Sequence, residues 1–139
     1  MEFITKSTQE TKDLGKALAA GLTGGEIFAL SGELGSGKTT FVQGFAEGLG
    51  VSGRIISPTF ILMRKYGVGE TDFYHIDLYR LEGNIEAEVI NLGLNDIWQK
   101  PESIVVIEWA EKIEKMIPKD ARWIKFVNLG GDKRRITVE

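Results

Sequence analysis

The chain has 139 residues, 42% of them hydrophobic and 27% charged, with a formal net charge of −3. That length fits one domain over residues 1–139 with a single substantial core, and no apolar run approaches the roughly 20 residues needed to cross a bilayer. With no cysteine and one histidine, disulfides, thiolate metal sites and a cysteine nucleophile are excluded, and the acidic balance speaks against a broad nucleic-acid footprint.

The N-terminal stretch "MEFITKSTQETKDLGK" lacks the basic start and apolar centre of a secretory signal, so the cytoplasm is the expected location. Within it, Ser7 and Glu10 stand at capping-box spacing and Leu14, Leu18 and Leu22 recur at every fourth position. This predicts a helix with one apolar stripe, ended by "TGG" at 23–25. "EIFAL", Glu26 to Leu30, reads as a buried strand, and "SGELGSGKTT", Ser31 to Thr40, follows it directly. Phe41, Val42, Phe45 and Leu49 then repeat at helical spacing until "GLGVSG". "RIISPTF" reads as a strand broken at Pro58, and the β-rich runs Ile61 to Tyr66 and Asp72 to Leu81 form a hairpin across "GVGE". "EGNIEAEVINLGLNDIWQKPES" predicts short helices with a break at Gly93. "IVVIE", Ile104 to Glu108, is the most apolar strand, "WAEKIEKMIP" a helix closed by Pro118, and "RWIKFVNL" and "RRITVE" a hairpin around "GGDK". The predicted architecture is a single α/β domain of the P-loop NTPase type. It has three layers, with a mostly parallel central sheet plus β-hairpins.

Gly32, Gly37, Lys38 and Thr39 satisfy the phosphate-loop spacing G-x-x-x-x-G-K-[ST]. Converging backbone N–H donors require the chain to curl where a Cβ would clash, hence glycine at Gly32, Gly35 and Gly37. The N-terminal end of the next helix faces the same point. Lys38 supplies positive charge for β and γ phosphates, and the Thr39 hydroxyl suits Mg²⁺. A buried strand before the loop and an amphipathic helix after it are the context this motif needs, which makes ATP and Mg²⁺ the expected ligands.

Such a site also needs a carboxylate, and two compete. Glu108 ends "IVVIE", where a buried parallel strand delivers its side chain to the sheet edge beside the loop. Asp77 sits in "FYHIDLYRL", where alternation puts Tyr74, Ile76 and Leu78 on one face and His75, Asp77 and Tyr79 on the other. Either could ligate the metal while the other orients the attacking water or takes its proton. His75 reads as a structural residue.

Taken together, "GELGSGKTT", "SPTF" (57–60), "YHIDLYRL" (74–81), "LGL" (92–94) and "IEWAEKI" (107–113) resemble the bacterial tRNA threonylcarbamoyladenosine biosynthesis ATPase family TsaE, also called YjeE. The resemblance spans nearly the whole chain, with Ala110 where the family pattern has proline. It implies a compact P-loop ATPase that works with TsaB and TsaD, downstream of TsaC, to place a threonylcarbamoyl group on the adenosine beside the anticodon. The resemblance further implies a nucleotide cycle that resets the TsaB–TsaD complex, with tRNA met indirectly through that complex. By the same resemblance Lys38 and Thr39 serve phosphate and Mg²⁺ within a cofactor-binding loop of Gly35, Ser36, Gly37 and Thr40. Thr59 lies in a switch-like loop near the γ-phosphate, Asp77 and Glu108 form the acidic pair with Glu108 on the metal side, and Trp109 is a functional aromatic. Thr11 and Lys133 or Arg134 approach the base or ribose.

Three other readings compete. A small-molecule kinase needs a second pocket and an arginine-bearing lid, for which Arg54, Arg64 and Arg80 and the short chain offer little. A guanine-nucleotide switch needs N-K-x-D and D-x-x-G, and neither occurs. A module that senses ATP without hydrolysing it does not need the acidic pair. No arginine finger stands out, so a low basal ATPase rate raised by a partner is expected.

Overall fold

The computed structural model describes residues 1–51 and 62–139. The apolar runs on either side of the sequence become neighbouring central strands. In chain order the elements are β1 Glu2–Thr5, α1 Thr8–Ala19, β2 Ile27–Gly32, α2 Lys38–Leu49, β3 Met63–Val68, β4 Thr71–Asp77, α3 Ile85–Asn91, α4 Leu94–Ile97, β5 Ser103–Glu108, a 3-10 segment Ala110–Met116, β6 Arg122–Gly130 and β7 Lys133–Val138. The strands form one sheet in the order β1-β7-β6-β2-β5-β4-β3. Its middle four, β6-β2-β5-β4, run parallel. Antiparallel pairs flank them, β4 with β3 on one side and β6 with β7 and β1 on the other. The core is parallel with hairpins at both margins, as predicted, although the sheet as a whole is mixed.

Every residue of β5 is buried, as are the first four of β2. Unbroken apolar runs of this kind belong to strands covered on both faces. Phe28, Leu30, Ile104 and Val106 join Phe41, Val42 and Phe45 of α2 in one core. Ala29, Val105 and Ile107 meet Val89, Leu94, Ile97 and Ile113 in a second core on the opposite face. Helices therefore lie on both sides of the sheet. Among the described residues no helix is long and apolar enough to cross a membrane.

Helices α1 and α2 cross at backbone distance. A Cβ on Gly15 would lie 2.2 Å from the carbonyl oxygen of Phe41, one on Gly44 1.9 Å from that of Lys12, and one on Gly48 2.4 Å from that of Lys16. The fully buried face of α1 is accordingly Thr11, Gly15 and Ala19, while the leucines of the predicted stripe flank the core half-buried. Gly44→Ala should therefore lower stability by about 3 kcal/mol, because a carbonyl cannot rotate away as a side chain can, and this outweighs the ~1 kcal/mol that alanine gains in helix propensity. A denaturant midpoint shifted by less than about 1 kcal/mol would mean that the helices slide apart freely.

Elsewhere the structure departs from the sequence reading at particular elements. α1 starts as predicted, with Ser7 Oγ accepting from the N–H of Glu10, but it ends at Ala19, so Leu22 lies beyond it. Strand β1, too short and polar to show in the sequence, pairs with β7. The predicted helix after "IVVIE" is a 3-10 segment with a break at Ile113. Tertiary anchors override propensity there: Glu111 accepts from the N–H of Gly32, and Lys112 donates to the carbonyls of Leu78, Tyr79 and Leu81. The strand predicted in "RIISPTF" lies outside the described residues.

Candidate functional site

β2 runs straight into the glycine loop, and the loop into α2. Gly32, Gly35 and Gly37 have φ of 149°, 76° and 99°, backbone angles that side chains rarely adopt. At Gly32 there is also no room, since a Cβ would lie 2.6 Å from the carbonyl oxygen of Phe126 and 2.8 Å from Ser36 Oγ. Gly37 caps α2, so the free N–H groups of the first helical turn point into the space the loop encloses. That space is part of a cavity of about 490 Å³, within the usual range for small-ligand pockets. Gly35, Ser36, Gly37, Lys38, Thr39, Thr40, Asp77, Glu108, Trp109 and Arg134 all line it, joined by Leu34 and Tyr79.

Lys38 is buried, and its Nζ donates to the carbonyls of Gly32 and Glu33, the latter at 3.0 Å. It also lies 4.0 Å from the centre of the Trp109 ring. Burial holds its ammonium below the ordinary lysine range, opposed by the nearby carboxylates of Glu108, Glu111, Asp77 and Glu33. Trp109 itself takes a left-handed backbone, φ 61°, a conformation costly for a bulky residue and found mostly where the surroundings impose it. The ring lines the cavity beside Lys38.

The parallel register of β4 and β5 sets Asp77 directly opposite Glu108. Both carboxylates are buried, so neither is a solvated strand-face or strand-end charge. Glu108 contacts the first turn of α2 directly. Its Oε1 accepts from Thr39 Oγ1 at 2.9 Å, and its Oε2 lies 2.6 Å from His75 Nε2. Asp77 Oδ1 accepts from the N–H of Tyr79 at 2.9 Å. A hydroxyl and a carboxylate in direct contact are hard oxygen donors that fit Mg²⁺, and two protein ligands suffice for a cation that takes its other positions from phosphate oxygens and water. Thr39 and Glu108 are thus a pair that could hold such a cation, with Asp77 across the ladder.

Arg134, on β7, donates to the carbonyl of Gly35 at 3.0 Å and lies against Gly37. Thr11 is set apart from the cavity: it is buried, its hydroxyl bonded to that of Thr5 at 2.8 Å. It meets the rim only indirectly, because Thr5 pairs with Arg134 across the strands. Thr59 and Arg54 lie outside the described residues. Sequence reasoning gave His75 a structural reading; the structure sets it against Glu108, on the strand face it shares with Asp77. That reasoning also passed over Tyr79, whose ring packs 5.3 Å from that of Trp109.

Comparison with known proteins adds three findings. The family model described as threonylcarbamoyl adenosine biosynthesis protein TsaE matches residues 5–136. Among curated relatives, the tRNA threonylcarbamoyladenosine biosynthesis protein TsaE of Bacillus subtilis is 38% identical over 99% of this chain and 84% of its own length. The protein of the same name from a Nostoc species is 44% identical over 76% of this chain and 65% of its own. A solved structure titled as Bacillus subtilis YdiB superposes with a TM-score of 0.80 at 35% identity, covering 99% of this chain and 83% of that one.

Proposed function

The chain belongs to the TsaE family of threonylcarbamoyl adenosine biosynthesis proteins, and from that premise we propose that it is a P-loop, Mg²⁺-dependent ATPase of tRNA modification. In this reading it acts in the cytoplasm with TsaB and TsaD, its nucleotide cycle resets their complex, and it meets tRNA through them. The observation that supports this best is convergence: the glycine loop, Lys38, Thr39 and Glu108 meet at one cavity, with Asp77 beside them.

The reaction is ATP plus water to ADP and phosphate. Thr39 and Glu108 would hold Mg²⁺, which when bound would supply positive charge against the phosphates. Lys38 exchanges the loop carbonyls it now holds for phosphate oxygens. N–H groups of Gly35 to Thr40 complete the cradle, and Asp77 orients the attacking water and takes its proton. Arg134 contacts the ribose or base side, whereas Thr11, tied to Thr5, is given no ligand contact. Thr59 keeps its proposed switch role near the γ-phosphate.

In this reading the partners complete the site and basal turnover is low, since charge on the transferring phosphoryl group needs further stabilisation. The test is ATP hydrolysis by the purified chain, alone and with cognate TsaB–TsaD and tRNA, with threonylcarbamoyladenosine scored in the same tubes. Expected is hydrolysis that rises with the partners and multiple-turnover modification that stops when this chain is omitted. Phosphate transferred to a small acceptor independently of those partners would replace the proposal with a kinase.

A further inference from the structure

We propose that His75 is a positioning residue for the metal-side carboxylate. Through Nε2–H it holds Oε2 of Glu108, so that Oε1 is the oxygen presented to Thr39 and to a divalent cation arriving with the phosphates. The inference rests on the Mg-nucleotide reading above and concerns how the chain prepares for that ligand.

His75 stands opposite Val106 and Asp77 opposite Glu108 in the β4–β5 ladder, so His75 reaches Glu108 along the diagonal. Both side chains are withdrawn from solvent, 0% and 2% exposed, and their polar atoms are 2.6 Å apart. The other ring nitrogen, Nδ1, is buried and has no hydrogen-bond partner among the described residues. A proton on Nδ1 would be a donor with nothing to meet among them, which puts the ring proton on Nε2, facing the carboxylate. The ring also lies parallel to Phe73, centroids 6.4 Å apart and planes 5° apart. An apolar side chain of that size would fill this place without burying an orphan nitrogen. What the imidazole adds is its bond to Glu108, a bond to a charged acceptor and hence one of the stronger kind. With Oε2 held by His75, rotation about the carboxylate's terminal torsion is restrained and Oε1 is the oxygen set toward Thr39. Supports of this sort fix the orientation of metal ligands in other sites.

His75 is the single histidine of the chain, so its ring nitrogens give the only imidazole signals in a ¹⁵N-labelled protein. Long-range ¹H–¹⁵N spectra of the ligand-free protein are expected to show Nε2 protonated and Nδ1 bare. A proton on Nδ1 alone would overturn the proposal. Calorimetry with a non-hydrolysable ATP analogue, with and without Mg²⁺, supplies the second readout. His75→Leu should lose about 10- to 100-fold of the affinity gained on adding Mg²⁺, with Mg-free binding unchanged. His75→Gln, whose Nε2 is the same number of bonds from Cβ, should retain that gain. If His75→Leu keeps the whole gain, or a folded His75→Gln loses it, the positioning role is wrong while the nucleotide reading stands. If the wild type binds no analogue under either condition, the nucleotide reading itself falls and this inference with it.

Discussion

Lys38→Ala is expected to abolish measurable ATP hydrolysis and to weaken nucleotide binding by at least about tenfold, some 1.4 kcal/mol, with the fold intact. The lysine reaches into the cavity from the first residue of α2, and its partners there are loop carbonyls that water can satisfy. The shape of the loop is set by Gly32, Gly35 and Gly37, which the substitution leaves alone. Burial lowers the lysine's proton affinity in the folded chain, whereas the unfolded chain keeps the ordinary lysine value. The unfolded state thus binds this proton more tightly. The charged side chain weakens the fold at neutral pH, and the penalty fades as pH rises through the lowered value toward the ordinary one. Lys38→Met, which keeps the stem over Trp109, should melt no lower than wild type at pH 7, and its advantage should shrink in alkali. Phosphates act on the same group in the opposite sense, raising its proton affinity. Nucleotide binding should therefore take up protons in the alkaline range, and affinity should fall as pH rises through the value of the free protein. Calorimetry in buffers of different ionisation enthalpy reads this directly, and binding with no proton uptake there would remove Lys38 from phosphate contact.

Glu108→Ala should cut hydrolysis by at least about tenfold, with a smaller effect on Mg-free nucleotide binding. The change removes the acceptor for both Thr39 and His75, so a stability loss of about 1–3 kcal/mol should accompany it. Glu108→Gln separates the two effects, because an amide can still bond to Thr39 while it serves poorly as a hard anionic ligand. A Gln variant with normal stability and crippled turnover is the expected result. An unchanged rate in either variant would transfer the metal-side role to Asp77, its neighbour across the ladder.

The parts of this molecule that the sequence discloses are those fixed by local rules. An apolar run, three glycines and a lysine at set intervals place β2, the loop and α2 with no reference to the rest of the chain. Alternation along β4 puts His75 and Asp77 on one side, and both are buried. What stayed hidden depends on partners far along the chain. The leucines of α1 suggested the inward face, yet the inward face is Thr11, Gly15 and Ala19, because only small residues fit where α2 crosses. Thr11 therefore turns toward Thr5 rather than toward the cavity. The segment after β5 has helical composition, but Glu111 and Lys112 are claimed by Gly32 and by the end of β4. His75 looked like filler because its partner is 33 residues away.

The meeting of α1 and α2 carries one more implication. Two rods that touch through side chains are separated by a soft layer, in which rotamers can shift and absorb small displacements. Here Gly15, Gly44 and Gly48 remove that layer, and main chain rests on main chain. α2 begins at the residue after Gly37, so a push delivered at the loop travels down α2 and arrives at α1 with little cushioning. The N-terminal helix then behaves as the far arm of a stiff lever whose near end is the glycine loop.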